Sequence, residues 1–312
     1  MLWYWYHRFG HEVNIFWGVH VVHHQSDDFN FTVAARITVF QAAARSLFWA
    51  FLPILGFPPE MITLLLMIHG TYPFFTHTQL VGKLGFLEYF LVTPSHHRVH
   101  HSSNPEYLDK NYGDVLIIWD KMFGTFKKEE TKAVYGLTSP LKSSSFLWQH
   151  FHFLMEMAVA FKRAGTLKEK WRVIFGKPDD IDPRIRPMLE RKLSKQKPPS
   201  ANSPGLQNYI VIQTILSLVL LFFAILLEHY LTTMQLTCIG LFIILSLITT
   251  GAMLEQKRWI FFLEIGRLSM LGLLLWQYYP NVYTAYTIIL ILSVLVLFFK
   301  SIGRQYNRYL YG

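Results

Sequence analysis

Histidines are the residues of this chain whose number and spacing point to chemistry. Fourteen occur in 312 residues, and eleven of them lie between positions 7 and 101. Nine of these form three groups, HRFGH at 7–11, HVVHH at 20–24 and HHRVHH at 96–101, and His69 and His77 lie between the second and third groups. Because residues at i, i+3 and i+4 share one face of a helix, each HxxHH predicts three imidazoles aimed at one region of space, and HxxxH predicts two.

Clustered imidazoles predict a metal site. Neutral imidazole is a common ligand for iron, zinc and copper, whereas one tetrahedral zinc takes only four ligands. Nine clustered imidazoles exceed that number and suit two metals with open positions for oxygen. Chance at this histidine frequency gives roughly 0.03 HxxHH motifs, so two such motifs are not accidental. The predicted ligands are His7, His11, His20, His23, His24, His77, His97, His100 and His101.

The remaining five histidines are His69, His96, His150, His152 and His229, and we predict that they lie outside the metal set. On a helix, His96 points about 100° away from His97. His69 falls inside a predicted membrane hairpin. The last three are interpreted as structural or interfacial residues.

Several common catalytic motifs do not occur in the sequence. It has no ExxH pair of the kind used by soluble di-iron bundles, which rely on carboxylates. It also has no HExxH, GxSxG or phosphate-binding loop. The absence of these motifs excludes the interpretation of the chain as a zinc protease, a serine hydrolase or a kinase.

The composition indicates a membrane protein. Hydrophobic residues make up 52% of the chain and charged residues 16%, whereas soluble domains carry about a quarter charged residues. The net charge of +9 does not indicate nucleic-acid binding, because twelve Lys and Arg lie between 162 and 197, flanked by apolar regions. That arrangement is typical of a cytoplasmic loop. The lone Cys238 excludes an intrachain disulfide.

Apolar segments predict the membrane crossings. Four C-terminal segments, 209–227, 233–253, 259–279 and 283–299, have the length of transmembrane helices. The third contains Glu264 and Arg267, which either pair at i,i+3 or lie near the interface. Nearer the N-terminus, we predict a helical hairpin with arms 33–57 and 60–77 that turns at Pro58–Pro59. The stretch PPSANSP at 198–204 is interpreted as a linker.

The loop charges predict the orientation. Basic flanks recur after every second crossing, so we expect the histidine groups, the basic loop and the C-terminus to face the cytoplasm. An aromatic run, WYWY at 3–6, precedes His7. Aromatic belts mark the membrane–water boundary. The metals are therefore expected at the cytoplasmic interface, within reach of a lipid chain.

At these residues the sequence resembles the fatty acid hydroxylase/sterol desaturase superfamily, and within it the branch that contains the alkylglycerol monooxygenases. The resemblance rests on YWYHRFGHEVNIFWGVHVVHHQSDDFN at 4–30, on His77 in THTQL, and on TPSHHRVHHSSNPEYLDKNYGDVLIIWDKMFGTF at 93–126. It is strong over about residues 3–140, and weak beyond about residue 200.

The resemblance implies a di-iron centre that activates O₂ and inserts oxygen at a lipid C–H bond. It implies that the three histidine groups supply the ligands, with His77 as the isolated one. Glu12, in HEVN, matches an acidic residue of the ether-lipid branch and is expected to orient a ligand imidazole. The alternative for Glu12 is a solvated carboxylate. Asp109, Asn111 and Asp120 are candidates for the same supporting role, or for ordinary loop hydrogen bonds.

The sequence departs from the family pattern at two places. Its isolated histidine is followed by Thr78-Gln79 rather than by Thr-Glu. Family members also have membrane helices before the first histidine group. We therefore expect either that the sequence is an N-terminally truncated part of a longer protein or that this protein lacks the helix that normally supports the first group.

Together these observations predict an all-α polytopic membrane protein with a histidine-box di-metal site at the cytoplasmic interface of the bacterial inner membrane or endoplasmic reticulum. Residues 1–140 form the catalytic region, 141–207 a basic cytoplasmic amphipathic region with the linker, and 208–312 a bundle of about four transmembrane helices. The predicted function is oxidation of a lipid (an ether lipid, fatty acyl chain or sterol) by hydroxylation or desaturation.

No flavin or haem domain is apparent, so electrons must come from a cytochrome b5-like protein, a ferredoxin or tetrahydrobiopterin. A sterol or fatty acid hydroxylase with a cytochrome-type donor is one alternative. A non-catalytic membrane metal-binding remnant of such an enzyme is another, and nucleic acid is not an expected partner.

Overall fold

The computed structural model describes residues 1–193, 203–257 and 259–311. Within these residues the fold is helical and contains no strand, only isolated bridges between Leu91 and Leu116 and between Ser102 and Tyr135. The chain forms two compact units. Unit 1 comprises Met1–Lys142 and His150–Ser194, and unit 2 comprises Ser143–Gln149 and Lys195–Gly312. The predicted all-α membrane fold is confirmed.

Unit 1 consists of short helices joined by ordered loops. Its helices are α1 (Leu2–Glu12), α2 (Asn14–His20), α3 (Phe31–Ala34), α4 (Gln41–Trp49), α5 (Phe51–Ile54), α6 (Pro59–Thr76), α7 (Pro94–His100), α8 (Ile118–Phe123), most of α9 (Phe146–Arg163), α10 (Leu167–Phe175) and α11 (Ile185–Leu193). Two 3₁₀ turns, Val21–His24 and Gly85–Tyr89, also contribute to the site and its surroundings.

Local sequence explains where the histidine-bearing helices begin and end. Val13 is extended, with φ −127° and ψ 121°, and so separates α1 from α2. α7 begins after the N-cap Thr93 with Pro94 in its first turn, where a missing N–H costs nothing. The His96 ring accepts from the backbone N–H of Thr93, which completes the cap. These breaks fix the directions in which the histidines leave the backbone.

The predicted membrane hairpin is only half correct. The arm 60–77 is the continuous helix α6, but the arm 33–57 is not one helix, because it consists of α3, α4 and α5, of 4, 9 and 4 residues. A nine-residue helix is about 14 Å long, which is too short to cross the roughly 30 Å hydrocarbon core. Pro53 and Gly56 (φ +86°) end the helical run before Pro58. Within the described residues, α6 is also not one of the helices that are long and apolar enough to cross a membrane.

Unit 2 contains the apolar C-terminal helices. Its helices are α12 (Pro204–Leu226), α13 (Thr233–Leu254), α14 (Ile260–Tyr278), α15 (Val282–Leu297) and α16 (Phe299–Tyr311). The first three are long and apolar enough to cross a membrane, while α15 and α16 form a pair bent by 82° that adds a fourth span if it is counted as one. The predicted linker lies mostly outside the described residues, which resume at Ser203, the N-cap of α12.

A buried ion pair lies inside this bundle. Arg267 contacts Glu264 at 2.8 Å on the same helix, so the predicted i,i+3 pairing is confirmed. Tyr209 of α12 donates to Glu264, and Arg267 donates to Gln213 of α12 and Ser246 of α13. Glu264 and Arg267 are each 2% exposed. Hydrogen bonds on three helices thus accompany the burial of this charged pair.

Candidate metal centre

Nine buried or nearly buried histidines converge in unit 1. The first group, which we call the five-histidine cluster, is His7, His11, His20, His24 and His100. The second, the four-histidine cluster, is His23, His77, His97 and His101. In each cluster, one ligand atom per residue lies within 4.8 Å of every other. The structure therefore brings together every histidine that the sequence predicts as a ligand.

The three imidazoles of each HxxHH lie in one region of the fold, but they divide between its two adjoining clusters. His20 and His24 join the five-histidine cluster, while His23 joins the other. In the third group, His97 and His101 join the four-histidine cluster, and His100 joins the five-histidine cluster. In an α-helix such as α7, a residue at i+4 lies about 40° around the axis from residue i, whereas one at i+3 lies about 60° to the other side. In the second group the division instead follows a change of helix type, because α2 ends at His20 and Val21–His24 is a 3₁₀ turn. Adjacent histidines therefore serve adjacent sites.

The Nε2 atoms of the clustered histidines face each other at short distances. In the four-histidine cluster, His97 lies 3.0 Å and His101 3.2 Å from His77. In the five-histidine cluster, His20 lies 3.1 Å from His7 and 3.2 Å from His24. The ring centroids of His24 and His101 are 4.4 Å apart, so the two clusters adjoin.

Backbone carbonyls fix the tautomer of several rings. Nδ1 of His7 donates to the carbonyl of Tyr112 at 2.8 Å, and Nδ1 of His77 donates to that of Pro73 at 2.5 Å. His100 and His23 make the corresponding bonds to Lys110 (2.9 Å) and Arg36 (3.3 Å). Because a carbonyl only accepts, the proton of each neutral ring sits on Nδ1. Nε2 is then left with its lone pair, the form that binds a metal.

This donor set fits metal ions. Lone pairs of neighbouring Nε2 atoms at about 3 Å repel each other unless a cation or proton lies among them. Nε2 of His11 and Nε2 of His100 are buried and have no hydrogen-bond partner within the described part of the chain. Buried polar atoms normally have partners, and a metal ion would satisfy both atoms. Nine neutral nitrogens suit two borderline first-row metals rather than calcium or magnesium.

Burial keeps these rings neutral. Desolvation lowers the pKa of His7 to about 3 and that of His77 to about 4, from an ordinary value of 6.5. Desolvation also lowers the pKa of His20, His24 and His101 well below this value, with neighbouring imidazoles adding to the effect. Neutral imidazole is the ligand form, so the folded site is ready for metal at physiological pH.

We expect the metal-free chain to lose stability in mild acid. Between about pH 6.5 and pH 4, the unfolded chain binds protons at His7 and His77 that the folded chain excludes. The free energy of unfolding is therefore highest above pH 6.5 and falls with pH, by up to about 1.4 kcal/mol per pH unit for each such group. Thermal unfolding of chelator-treated protein over this range measures the effect. A midpoint that does not change with pH would contradict it.

A tight loop after the third histidine group holds the carbonyls in place. Asp120 is fully buried and accepts from the backbone N–H groups of Tyr112 (2.7 Å) and Gly113 (2.8 Å) and from the hydroxyl of Thr125 (2.7 Å). The loop is also too tight for a side chain at Gly113, because a Cβ there would lie 2.7 Å from the Leu116 carbonyl oxygen. Asp120 thereby positions the Tyr112 carbonyl that receives His7.

Asn111 and Asp109 also lie beside the clusters. The Asn111 side chain donates to the carbonyls of His96 (3.1 Å) and Lys127 (2.8 Å), and so ties α7 to the loop. Asp109 lies 3.6 Å from Nδ1 of His11. Both residues have positive φ, 57° for Asp109 and 55° for Asn111, a conformation that aspartate and asparagine tolerate better than most residues.

Replacing Asp120 by alanine is expected to destabilise the protein by about 3 kcal/mol, because three buried donors lose their acceptor. Release of the Tyr112 carbonyl should also weaken metal binding by about tenfold, the usual scale for the loss of a group that orients a ligand. Thermal unfolding and metal titration measure the two effects. Alanine at the exposed Asp28 is the matched control, and equal behaviour of the two variants would disprove this role.

Glu12 lies next to the five-histidine cluster, but its partner is a cation. Its carboxylate accepts from Nε of Arg8 at 3.0 Å, one turn earlier on α1. Its side chain is 28% exposed and borders the cavity described below. Asp109, rather than Glu12, lies near a ring nitrogen of a clustered histidine, at 3.6 Å from Nδ1 of His11. The expected contact of Glu12 with a ligand imidazole stays a prediction.

The other histidines lie outside the two clusters, as predicted. His96 caps α7 through Thr93 and contacts the carbonyl of Leu91 at 3.2 Å. His69 of α6 pairs with the buried Asp114 and stacks on Trp3, with ring centroids 5.2 Å apart. His152 is fully buried in α9.

A cavity of about 360 Å³ in unit 1 reaches both clusters. The histidines on its wall are His11, His24, His100 and His101. Apolar groups such as Trp17 and Phe153 and charged groups including Lys177 and Asp179 complete its lining. Glu156 and Arg186 on this wall form an ion pair at 2.7 Å. The volume is that of a small-ligand site, so a small molecule can approach both clusters from here.

Sequence reasoning missed two parts of the site. The backbone carbonyls that hold the imidazoles belong to residues of unrelated types, so no pattern marks them. The contribution of Glu156, Lys177 and Arg186 was also missed, since the basic region was interpreted as a solvated loop. One pattern could have drawn attention to Glu156, namely a single acidic residue within the apolar run FHFLMEMAVAF at 151–161.

By fold and site, this is a helical membrane chain with two adjoining clusters of buried histidines, each of which could hold a metal ion. Residues 1–125 match the family model described as fatty acid hydroxylase. The predicted resemblance is thus confirmed.

The chain is similar to the alkylglycerol monooxygenases of Homo sapiens and Danio rerio. It is 38% identical to the human protein over 81% of this chain and 58% of that protein, and 36% identical to the fish protein over 88% and 62%. It thus spans about three fifths of the length of these relatives. An ornithine lipid hydroxylase of Rhizobium tropici is 28% identical over 56% of this chain and 50% of that protein. No solved structure matches the chain.

Proposed function

We propose that this chain is a membrane-bound di-iron monooxygenase that hydroxylates a C–H bond of a lipid, with an alkyl ether lipid as its substrate. One observation carries the proposal: nine buried histidines lie in two adjoining clusters that share a cavity. Two of the similar proteins are named alkylglycerol monooxygenases, which favours the ether-lipid substrate over a sterol or fatty acyl chain.

In this proposal each cluster holds one iron. The five-histidine cluster would bind one ion and the four-histidine cluster the other, with Nε2 as the principal ligand atom. Iron supplies the redox chemistry that activates O₂, which a closed-shell zinc does not. The overall reaction consumes O₂, two electrons and two protons for each lipid, and it yields one alcohol and one water.

The protein's own groups orient the imidazoles, exclude water from the clusters and leave a cavity through which a small molecule can reach them. The carbonyls of Tyr112, Pro73 and Lys110 hold the imidazoles in one tautomer and direction, and Asp120 stiffens the loop behind them. Burial of the clusters excludes bulk water from the reacting groups. The cavity admits a small polar partner, and Glu12 lies on its wall. We retain Glu12 as a proposed site residue on this basis.

The electrons must come from outside the chain. We propose a donor of one of three kinds, a cytochrome b5-like protein, a ferredoxin or tetrahydrobiopterin. A small donor would fit the cavity of about 360 Å³, whereas a protein donor would have to pass electrons from the surface.

The function is tested with the full chain in phospholipid vesicles that contain an alkylglycerol. Iron-loaded protein receives each donor in turn under isotopically labelled O₂, and products are identified by mass spectrometry. We expect one labelled oxygen atom in the lipid product, and none with the His100→Ala variant. Alanine at His229, an exposed residue of unit 2, is the control. Folded, metal-replete protein that labels no lipid with any donor would instead identify a non-catalytic metal-binding protein.

We also propose that the histidine clusters face the cytoplasm, in the bacterial inner membrane or the endoplasmic reticulum. The support is the basic stretch 162–197 and the recurrence of basic flanks along the apolar segments. Single cysteines at the exposed Glu106 and Tyr283 in a Cys238→Ser background test this orientation. A membrane-impermeant thiol reagent should label Glu106→Cys from the cytoplasmic side and Tyr283→Cys from the other. Labelling of both from one side would contradict the orientation.

The regional assignments remain proposals as well. We assign catalysis to residues 1–140, a basic region and linker to 141–207 and a membrane bundle to 208–312. The cavity lining adds Glu156, Lys177 and Arg186 to the proposed catalytic region.

A further inference from the structure

A segment between two metal-binding motifs exposes an unusual amount of apolar surface. Residues 80–90, which we call the apolar loop, begin three positions after His77 and end seven positions before His97. Leu80 is 90% exposed, Phe86 71% and Tyr89 66%. Leu87 and Phe90 are exposed too. Contiguous apolar patches of this kind mark an interaction surface.

The apolar loop is a built structure rather than a loose connection. Its backbone is tied down at both ends, because Arg98 of α7 donates to the carbonyls of Thr78 (3.1 Å) and Val81 (2.7 Å), and the Ile117 N–H donates to the Phe90 carbonyl (3.0 Å). Within it, residues Gly85–Tyr89 form a 3₁₀ turn. The apolar side chains are thus held outward by a fixed backbone.

The charges of the apolar loop indicate the partner. Its one acidic residue, Glu88, accepts from the Leu84 N–H at 3.0 Å and from the Thr93 hydroxyl at 3.1 Å, so its carboxylate is engaged within the fold. The outward charges are positive. Lys83 is exposed. Lys121 is exposed too, and its ammonium donates to the Tyr89 carbonyl at 2.8 Å and lies over the Tyr89 ring, 5.5 Å from the ring centroid. Aromatic and apolar groups rimmed by lysine match the interface of an anionic lipid bilayer.

The neighbouring helix continues the same surface. α6 leads directly to His77, and it exposes Leu64, Met67, Phe74 and Phe75. It has no polar face except near its ends and at His69. An exposed helix that is apolar on all sides has to be covered by another apolar surface. Because the chain has three candidate membrane spans, the bilayer can supply that surface.

We propose that the apolar loop inserts into the bilayer interface and sets the edge of the four-histidine cluster against the lipid. Phe86, Phe90 and Leu80 would enter the acyl boundary, while Lys83 and Lys121 would contact lipid phosphates. Because Arg98 joins the loop to the helix that carries His97 and His100, insertion would also fix that helix relative to the membrane. This inference concerns where the membrane lies, and it does not depend on oxygen chemistry.

The test measures membrane depth in the full chain. In a Cys238→Ser background, Phe86→Cys and, separately, Leu80→Cys carry an environment-sensitive fluorophore. The protein is reconstituted into phosphatidylcholine–phosphatidylserine vesicles. Arg184→Cys, at an exposed polar position of the same unit, is the matched control. Both substituted apolar residues are exposed, so the fold is not at risk.

We expect nitroxide-labelled lipid to quench the probes at 86 and 80 roughly twofold or more strongly than the probe at 184. A water-soluble nickel chelate should show the opposite order. If both loop probes respond to the chelate as the control does, the proposal is wrong. That result would mean that the apolar loop receives a soluble protein instead. Neither outcome depends on turnover, so the test is independent of the proposed activity.

Discussion

Alanine at His24 or at His101 is expected to abolish lipid hydroxylation while releasing metal from different clusters. His24 belongs to the five-histidine cluster and His101 to the four-histidine cluster, although their rings stack at 4.4 Å. Intact protein should bind about two iron ions, and each variant should bind about one tightly. Turnover should fall by about a thousandfold or more in both variants, because the proposed reaction needs both ions.

The His23→Ala variant distinguishes this assignment from a simple count of ligands. His23 is adjacent to His24 in sequence but lies in the other cluster, so His23→Ala should resemble His101→Ala rather than His24→Ala. Elemental analysis and metal-specific spectra of anaerobically purified protein separate the two patterns. Alanine at His150, which lies outside both clusters, should leave metal content and turnover nearly intact. Folded protein that binds no first-row metal would end the di-iron proposal.

Replacing Arg267 by methionine is expected to destabilise unit 2 by about 3–5 kcal/mol, the usual effect of breaking a buried ion pair on one side. The change leaves the Glu264 carboxylate buried, with Tyr209 as its remaining described donor. It also removes the donors to Gln213 and Ser246, which tie α14 to α12 and α13. Thermal unfolding of the purified protein in detergent, followed by circular dichroism, measures the loss.

The double variant Glu264→Gln/Arg267→Met is the matched control. It removes both charges, so no uncompensated carboxylate remains in the apolar bundle. We expect it to unfold at a higher temperature than Arg267→Met alone. If the single variant unfolds at the same temperature as the wild type, the pair contributes nothing measurable to the bundle.

The sequence alone identified the metal-binding candidates, because their evidence is local. HRFGH, HVVHH and HHRVHH depend on helical spacing, and that spacing survives in any tertiary arrangement. The apolar segments of unit 2 could also be identified from the sequence, because length and hydropathy decide whether a helix can cross a bilayer. The i,i+3 spacing made the pairing of Glu264 with Arg267 one of two alternatives, and the structure confirms it.

Tertiary structure decided how those residues are used. It divided each HxxHH between two sites, because neighbouring histidines of one motif meet different partners from distant segments. It broke the arm 33–57 into three short helices, an outcome that hydropathy could not foresee. It also brought the carbonyl of Tyr112 to His7 and Arg186 to the cavity wall. Such contacts join segments that are far apart in sequence, and they depend on backbone position rather than on residue type. The spacing of residues in the sequence therefore does not predict them.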